Sequence, residues 1–225
     1  MNDTARLITI YEILYAYFGP QHWWPADTAF EVMVGAILTQ NVAWTNVEKA
    51  IKNLKKADLL EPSRLAYMDV EELKRLIKPA GFYNQKAPRL QYMSRYIVEY
   101  CDGSTDKLFE GDMYGIRRLL LSWRGIGPET ADAILLYAGN KPIFVIDAYT
   151  RRVFSRLDIF SEDISYEHAQ AYFMNNLPHD AKLFNEYHAL IDELAKRLCL
   201  KKDPLCFACP LDLCSRCQRG ENARA

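Results

Sequence analysis

The sequence has no apolar run long enough to cross a bilayer and almost no stretch in which apolar and polar residues alternate. The first lack argues against membrane insertion, and the second against a sheet-based fold. Only Pro142-Ile-Phe-Val-Ile146 reads as a short strand-like stretch. Net charge is also scarce: 28 basic and 29 acidic residues leave a formal charge of −1. That balance excludes a generic polyanion binder, so any nucleic-acid contact has to come from a local patch. There is no internal repeat, low-complexity tract or long linker. The opening Met-Asn-Asp-Thr-Ala-Arg carries no charged-then-apolar leader, so a cytoplasmic protein with reduced thiols is expected.

The 225 residues are half apolar or aromatic, enough to bury a real core in one or two domains. Their period is helical almost throughout. Leu7, Ile8, Ile10, Tyr11, Leu14 and Tyr15 mark one apolar face, ended by Gly19-Pro20. Asp27 or Thr28 can cap a second helix running through Phe30, Val32, Met33, Ala36 and Ile37. Further helices are predicted near 43–56, 69–78, 84–101, 112–123, 128–138, 147–157, 166–176 and 181–200. The fold class is all-α.

Cysteine is concentrated where most of the chain has none. Five of the six fall in the tail, at Cys199, Cys206, Cys209, Cys214 and Cys217, and the sixth is the distant Cys101. A structural cysteine is an ordinary small core hydrophobe, and packing has no reason to cluster it. In a reducing compartment such a cluster points to metal rather than to disulfides. Zinc sites usually pair two short knuckles well separated in the chain or add histidine, whereas here the two C-x2-C pairs, Cys206–Cys209 and Cys214–Cys217, stand only four residues apart and no histidine follows His188. One distant thiolate followed by a tight group and a Cys-Pro dipeptide fits an iron–sulfur loop better. The same tail is locally basic: Lys196, Arg197, Lys201, Lys202, Arg216, Arg219 and Arg224 outnumber Asp203, Asp212 and Glu221. It is either a solvated helix end or a patch for phosphate.

A second segment carries chemistry. Leu121-Ser-Trp-Arg124-Gly125-Ile-Gly127-Pro128-Glu129 runs a helical stretch into two closely spaced glycines and restarts a helix with proline at its first position. Such a hairpin can present backbone N–H groups to an anion such as a DNA phosphate, although it can equally be a plain interhelical turn. About one helix later, Pro142-Ile-Phe-Val-Ile-Asp147 delivers a carboxylate to the start of another helix. Asp147 is either an N-cap or a catalytic acid group, and the two roles can coexist.

The hairpin, the loop with Asp147 and the cysteine loop stand in the order found in helix-hairpin-helix DNA glycosylases of the endonuclease III type, which this chain resembles. Gly81-Phe-Tyr-Asn-Gln-Lys-Ala87 resembles another loop of that family, so the likeness covers nearly the whole chain. Trp23-Trp24-Pro25 and Leu38-Thr-Gln40-Asn41 look most like its 3-methyladenine DNA glycosylase branch. The resemblance implies two helical domains with the active site at their junction: a helical barrel over residues 26–138, and a cluster domain made of 1–25 and 139–225. It implies a [4Fe–4S] cluster on Cys199, Cys206, Cys209 and a fourth thiolate. The family spacing C-x5-C falls on neither remaining cysteine; Cys214 has the better local match and Cys217 is the alternative.

The resemblance also assigns roles. Asp147 becomes the catalytic carboxylate that meets the oxocarbenium-like sugar as a base leaves. Glu129 stands where bifunctional members carry a Schiff-base lysine, and a carboxylate cannot form that imine. The expected activity is therefore monofunctional excision of alkylated bases such as 3-methyladenine from double-stranded DNA, by a monomer acting on the nucleoid. Glu129, Trp23, Trp24, Pro25 and Trp44 would form the base pocket. Arg124, Gly125 and Gly127 would bind backbone phosphate, with Phe82, Gln40 and Asn41 filling the gap left in the duplex. The alternatives are a glycosylase/lyase for oxidised or deaminated pyrimidines, or a non-catalytic cluster-bearing DNA-binding protein.

Overall fold

In a computed structural model of the chain, which describes residues 2–211, every regular element among the described residues is helical. The helices are α1 (Asp3–Phe18), α2 (Ala29–Leu38), α3 (Trp44–Lys56), α4 (Pro62–Tyr67), α5 (Val70–Ile77), α6 (Tyr83–Tyr100), α7 (Thr105–Leu108), α8 (Met113–Ser122), α9 (Pro128–Ala133), α10 (Ala148–Arg156), α11 (Tyr166–Asn176) and α12 (Ala181–Arg197). The all-α expectation holds. The short α4 and α7 are additions to the helices expected from the sequence. The chain divides into two compact units: Trp24–Lys141, and Met1–Trp23 together with the chain from Pro142 onward. Cys214 and Cys217, with the basic residues Arg216, Arg219 and Arg224, lie outside the described residues.

The first unit is organised around α2. Nine of its ten residues are buried, so it is apolar on all sides, as a central helix must be. Thr28 caps it by accepting from the Glu31 N–H at 3.1 Å. The buried Glu31 carboxylate accepts in turn from the Asp27 N–H and pairs with Lys55 at 2.8 Å. Helices α3, α6 and α9 pack against α2, and α4 lies along α6. Each large aliphatic side chain buried here contributes roughly 1.5–3 kcal/mol. At its C-terminal end α9 widens into a π turn over Ile134–Ala138.

The second unit centres on α12, against which α1 and α10 pack. Its core is aromatic: Phe144 stacks on Phe173 with centroids 4.0 Å apart, and Phe154, Phe184 and Tyr187 close round them edge to face. Such pairs add about 0.5–1.5 kcal/mol beyond burial. The strand-like stretch Ile143–Ile146 is fully buried but is not a strand. Its backbone is met by side chains of α11 instead of a neighbouring strand: Gln170 Nε2 donates to Phe144 O at 2.7 Å, and the Ile146 N–H donates to Tyr166 Oη at 3.4 Å. Apolar composition and β-branching gave the signal of a strand. Helix side chains supply the hydrogen bonds that a ladder would have made.

Candidate active site

The buried segment Ile143–Ile146 ends at Asp147, which caps α10 by accepting from the Thr150 N–H at 2.7 Å. The cap fixes the carboxylate at a helix N-terminus, where the dipole favours negative charge. Helix α12 brings two further groups to it. His188 Nε2 lies 4.0 Å from Asp147 Oδ1, and donor atoms of Asp147, His188 and Asp192 all fall within 4.8 Å of one another. Asp192 Oδ2 accepts from Lys196 at 2.8 Å, while its Oδ1 is enclosed with no hydrogen-bond partner. Burial, and then the nearby Asp147 charge, push the Asp192 carboxyl up to about 6. Lys196 also lies 5.8 Å from the Trp23 ring centroid and 5.5 Å from that of Tyr149. The sequence reading missed His188 and Asp192. They stand four residues apart, on one face of a helix, and that spacing was the available signal.

The opposite end of α10 grips the cysteine loop. Arg152 donates to Cys199 O and Ala195 O, and Arg156 donates to Cys199 Sγ at 3.2 Å and to Leu200 O at 2.7 Å. Cys199, Cys206 and Cys209 are not disulfide-bonded. Cys199 and Cys209 share a small cavity lined by Val153, Leu157, Leu194 and Leu211. An all-thiolate set beside an apolar wall and a guanidinium suits an iron–sulfur cluster.

The remaining candidates, Trp23 apart, stand in the unit Trp24–Lys141. Trp24, Pro25 and Trp44 line one cleft of about 240 Å³, together with Glu31, Glu48, Ile51, Lys52 and Lys55. Trp24 and Trp44 meet edge to face, with centroids 5.2 Å apart and planes at 85°. There is no parallel slot between them, so a base stacked here lies on one ring rather than between the two. Trp24 is wedged further by Tyr137 from the π turn, at 5.3 Å, and by Gly35, where an added Cβ would lie 3.0 Å from its ring. Trp44 Nε1 donates to Glu48. Glu129 is exposed in the first turn of α9 and does not line this cleft. Trp23 belongs to the other unit.

In the hairpin the two glycines differ. Gly125 has φ +83°, a left-handed conformation that favours glycine, and a Cβ there would displace the Arg89 guanidinium. Gly127 has φ −95°, and a Cβ there would meet nothing within 4 Å. The chain itself leaves space for a Cβ at 127. Arg124 is exposed beside it. Gln40 is tied to the hairpin, donating to Gly125 O and Thr130 Oγ1 at 3.0 Å each while accepting from Arg89 at 2.6 Å. Asn41 and Phe82 are both exposed, with left-handed φ values of +56° and +45°.

Residues 34–179 match the family model described as the HhH-GPD superfamily of base excision DNA repair proteins, and the chain belongs to that superfamily. It is a DNA glycosylase of the base-excision type. A Methanocaldococcus jannaschii protein assigned by name to the DNA repair glycosylases is 50% identical over 212 residues, 93% of this chain and 96% of its own length. Endonuclease III of Thermotoga maritima is 31% identical over 180 residues, 80% of this chain and 79% of its own. Among solved structures, the H. pylori 3-methyladenine DNA glycosylase MagIII, bound to 1,N6-ethenoadenine, superposes with a TM-score of 0.74 at 30% identity, covering 87% of this chain and 98% of that one. An endonuclease III–DNA complex has the same fold, with a TM-score of 0.82 at 20% identity over 99% of this chain and 100% of that one.

Proposed function

We propose that this glycosylase is monofunctional and hydrolyses alkylated bases, 3-methyladenine among them, from double-stranded DNA. The observation that carries the reading is Glu129, a carboxylate in the first turn after the hairpin, where the bifunctional members of the family it resembles carry a lysine. An amine at that place could attack the sugar C1′; a carboxylate cannot form the imine that precedes strand cleavage. The likeness to the 3-methyladenine DNA glycosylase supports the substrate class. Alkylation places positive charge on the ring and makes the base a good leaving group, so little general acid is needed.

On this reading Asp147 stabilises the oxocarbenium charge on the sugar as the N-glycosidic bond breaks, a preorganised electrostatic role. Its hydrogen bond from Thr150 N–H fixes the carboxylate without neutralising it. Trp44 in its unit, and Trp23 in the other, each offer a ring face for stacking, worth about 1–3 kcal/mol per base. Trp24 and Pro25 line the cleft that holds Trp44, and the carboxylate of Glu129 favours a cationic base. Gly125, Gly127 and Arg124 meet phosphate, while Phe82 and the Gln40–Asn41 turn enter the duplex. Cys199, Cys206, Cys209 and a fourth thiolate, Cys214 before Cys217, would hold a [4Fe–4S] cluster. When bound, it would brace the loop that Arg156 and Arg152 tie to α10.

The test is product identification. The protein is incubated separately with methylated DNA and with duplexes containing uracil or thymine glycol, and the released base is identified. Release of 3-methyladenine, with no covalent adduct trapped by borohydride, is expected. Release of thymine glycol together with a trapped adduct, lost when some lysine is replaced, overturns the reading.

A further inference from the structure

Lys86 is among the largest fully buried side chains of the protein, 1% exposed, although it carries a charge. Burying an ammonium costs several kcal/mol unless its donors are met, and an apolar side chain would fill the same space at no such cost. Its partners are two backbone carbonyls on separate segments. Nζ donates to Leu38 O and to Ala80 O, each at 2.8 Å. Leu38 closes α2, so its carbonyl is one of those a helix end leaves without an internal donor. Ala80 closes a short 3-10 turn over Lys78–Ala80.

Both carbonyls stand shortly before a proposed tip: Leu38 two residues before the half-buried Gln40 and three before the exposed Asn41, and Ala80 two before the exposed Phe82. Each tip carries a left-handed φ, which asparagine adopts readily and phenylalanine does not. Phe82 is 59% exposed at φ +45°, and Asn41, next to Gln40, has φ +56°. A bulky non-glycine residue at such an angle costs on the order of 1–3 kcal/mol. Lys86 Nζ also lies 5.7 Å from the Phe82 ring centroid. One helical turn on, Arg89 holds the Gln40 carboxamide. The start of α6 therefore grips both tips.

We propose that Lys86 is a positioning residue that sets the spacing of two duplex-inserting tips, Phe82 and the Gln40–Asn41 turn, by binding a backbone carbonyl at the base of each. The inference rests on the reading of those tips as duplex-inserting. Two side chains that enter one duplex together have to arrive at a fixed separation, and a buried ammonium shared by the two loops supplies that constraint. Burial, and then the neighbouring Arg89 charge, lower the Lys86 pKa to about 8, consistent with a charge retained in an enclosed place for its hydrogen bonds.

The experiment uses the full chain and a duplex carrying 2-aminopurine beside an abasic-site analogue, whose fluorescence reports unstacking at the lesion. Lys86→Met, Lys86→Gln and Phe82→Ala are compared with wild type. Single-turnover excision from methylated DNA and affinity for undamaged duplex are measured alongside. Lys86→Met should lower the unstacking signal and the excision rate about tenfold while affinity for undamaged DNA stays within about threefold. Adding Phe82→Ala to Lys86→Met should change little further, because the two act as one unit. A role in stability alone would lower Tm and leave unstacking by the folded protein unchanged. If Lys86→Met does not fold, Lys86→Gln, whose shorter neutral carboxamide keeps N–H donors but loses the ammonium charge, should show a smaller loss of the same kind. Wild-type unstacking by the folded Met variant, or by the Gln variant in its place, overturns the proposal. If Phe82→Ala is defective while those variants are not, only the role of Lys86 falls. If Phe82→Ala behaves as wild type, the reading of the tips falls with it.

Discussion

Arg156 donates a 3.2 Å hydrogen bond to Cys199 Sγ from the last turn of the helix that Asp147 caps. The proposed catalytic carboxylate and the first cysteine of the tail are thus held by opposite ends of a nine-residue element. Arg156 also donates to Leu200 O and Lys201 O, so one guanidinium organises the start of the loop. Hydrogen bonds to charged groups contribute about 1.5–3 kcal/mol each. Arg156→Met should therefore lower iron content per chain and speed its loss to a chelator, as read by iron analysis. Cys199→Ala should abolish iron binding. Of Cys214→Ala and Cys217→Ala, the first should lose iron and the second retain it. Colourless wild-type protein with one zinc per chain would show that the tail holds another metal.

Asp147→Asn should leave the helix intact, because asparagine caps about as well as aspartate. DNA affinity should stay within about threefold, whereas single-turnover excision should fall about 10²–10³-fold as the carboxylate charge is lost. A variant that binds and excises like wild type would remove Asp147 from the chemistry and leave it as a cap.

Much of this arrangement was legible in the sequence. The long helices show because their apolar positions repeat at helical spacing over three or more turns, as Leu7, Ile10 and Leu14 do. Helices α4 and α7, with six and four residues, are too short to express a period. The Ile143–Ile146 stretch misled because a continuous apolar run is the same signal whether its backbone is met by a strand or by Gln170 and Tyr166. The company Asp147 keeps was not legible either. His188 and Asp192 reach it only through the packing of α10 on α12, some forty residues apart in the chain. The two hairpin glycines read alike, since neither the φ of Gly125 nor the approach of Arg89 is written in the motif.

That difference makes the hairpin testable. Gly125→Ala should destabilise the unit, because it forces a left-handed φ on alanine and displaces Arg89; a lower Tm is expected. Gly127→Val should melt like wild type, since an extended φ suits valine and nothing lies near the new side chain. It should still weaken binding to lesion and undamaged duplex alike, by about 1–2 kcal/mol, because backbone phosphate contacts carry no sequence information. Unchanged affinity in the well-folded Val variant would remove the hairpin from the DNA interface.

Asp192 gives the pH dependence its sign. Its carboxyl is raised to about 6 by burial and then by Asp147, above the ordinary aspartate value near 3.9. Between those two values the native state binds more protons than the unfolded chain, so this group's contribution to stability falls as pH rises. It levels off above the folded-state value, with the charge then shared with Lys196 at 2.8 Å. Asp192→Asn removes the titration. The Tm of the variant minus that of wild type should therefore rise between pH 4.5 and 7, an interval spanning about 6, and then flatten. A difference that stays level across the interval would show that Asp192 is ionised throughout and that its enclosed Oδ1 carries no penalty.

Gly35 tests the tryptophan wall. It lies on α2 beneath Trp24, and a methyl group there would stand 3.0 Å from Cζ2 and 3.2 Å from Nε1 of the indole. The backbone itself is helical, so alanine fits its conformation, and the crowding acts on the ring alone. Trp24 cannot simply rotate away, because Tyr137 and Trp44 stand 5.3 and 5.2 Å from its centroid. Gly35→Ala should therefore cost about 1–3 kcal/mol of stability, the usual range for an overpacked core. It should also shift Trp44 and reshape the cleft they share with Pro25. Excision of 3-methyladenine should fall more than affinity for undamaged duplex, since only the extruded base meets that wall. Equal losses in both, or neither, would show that the cleft is core packing and that the base is gripped elsewhere.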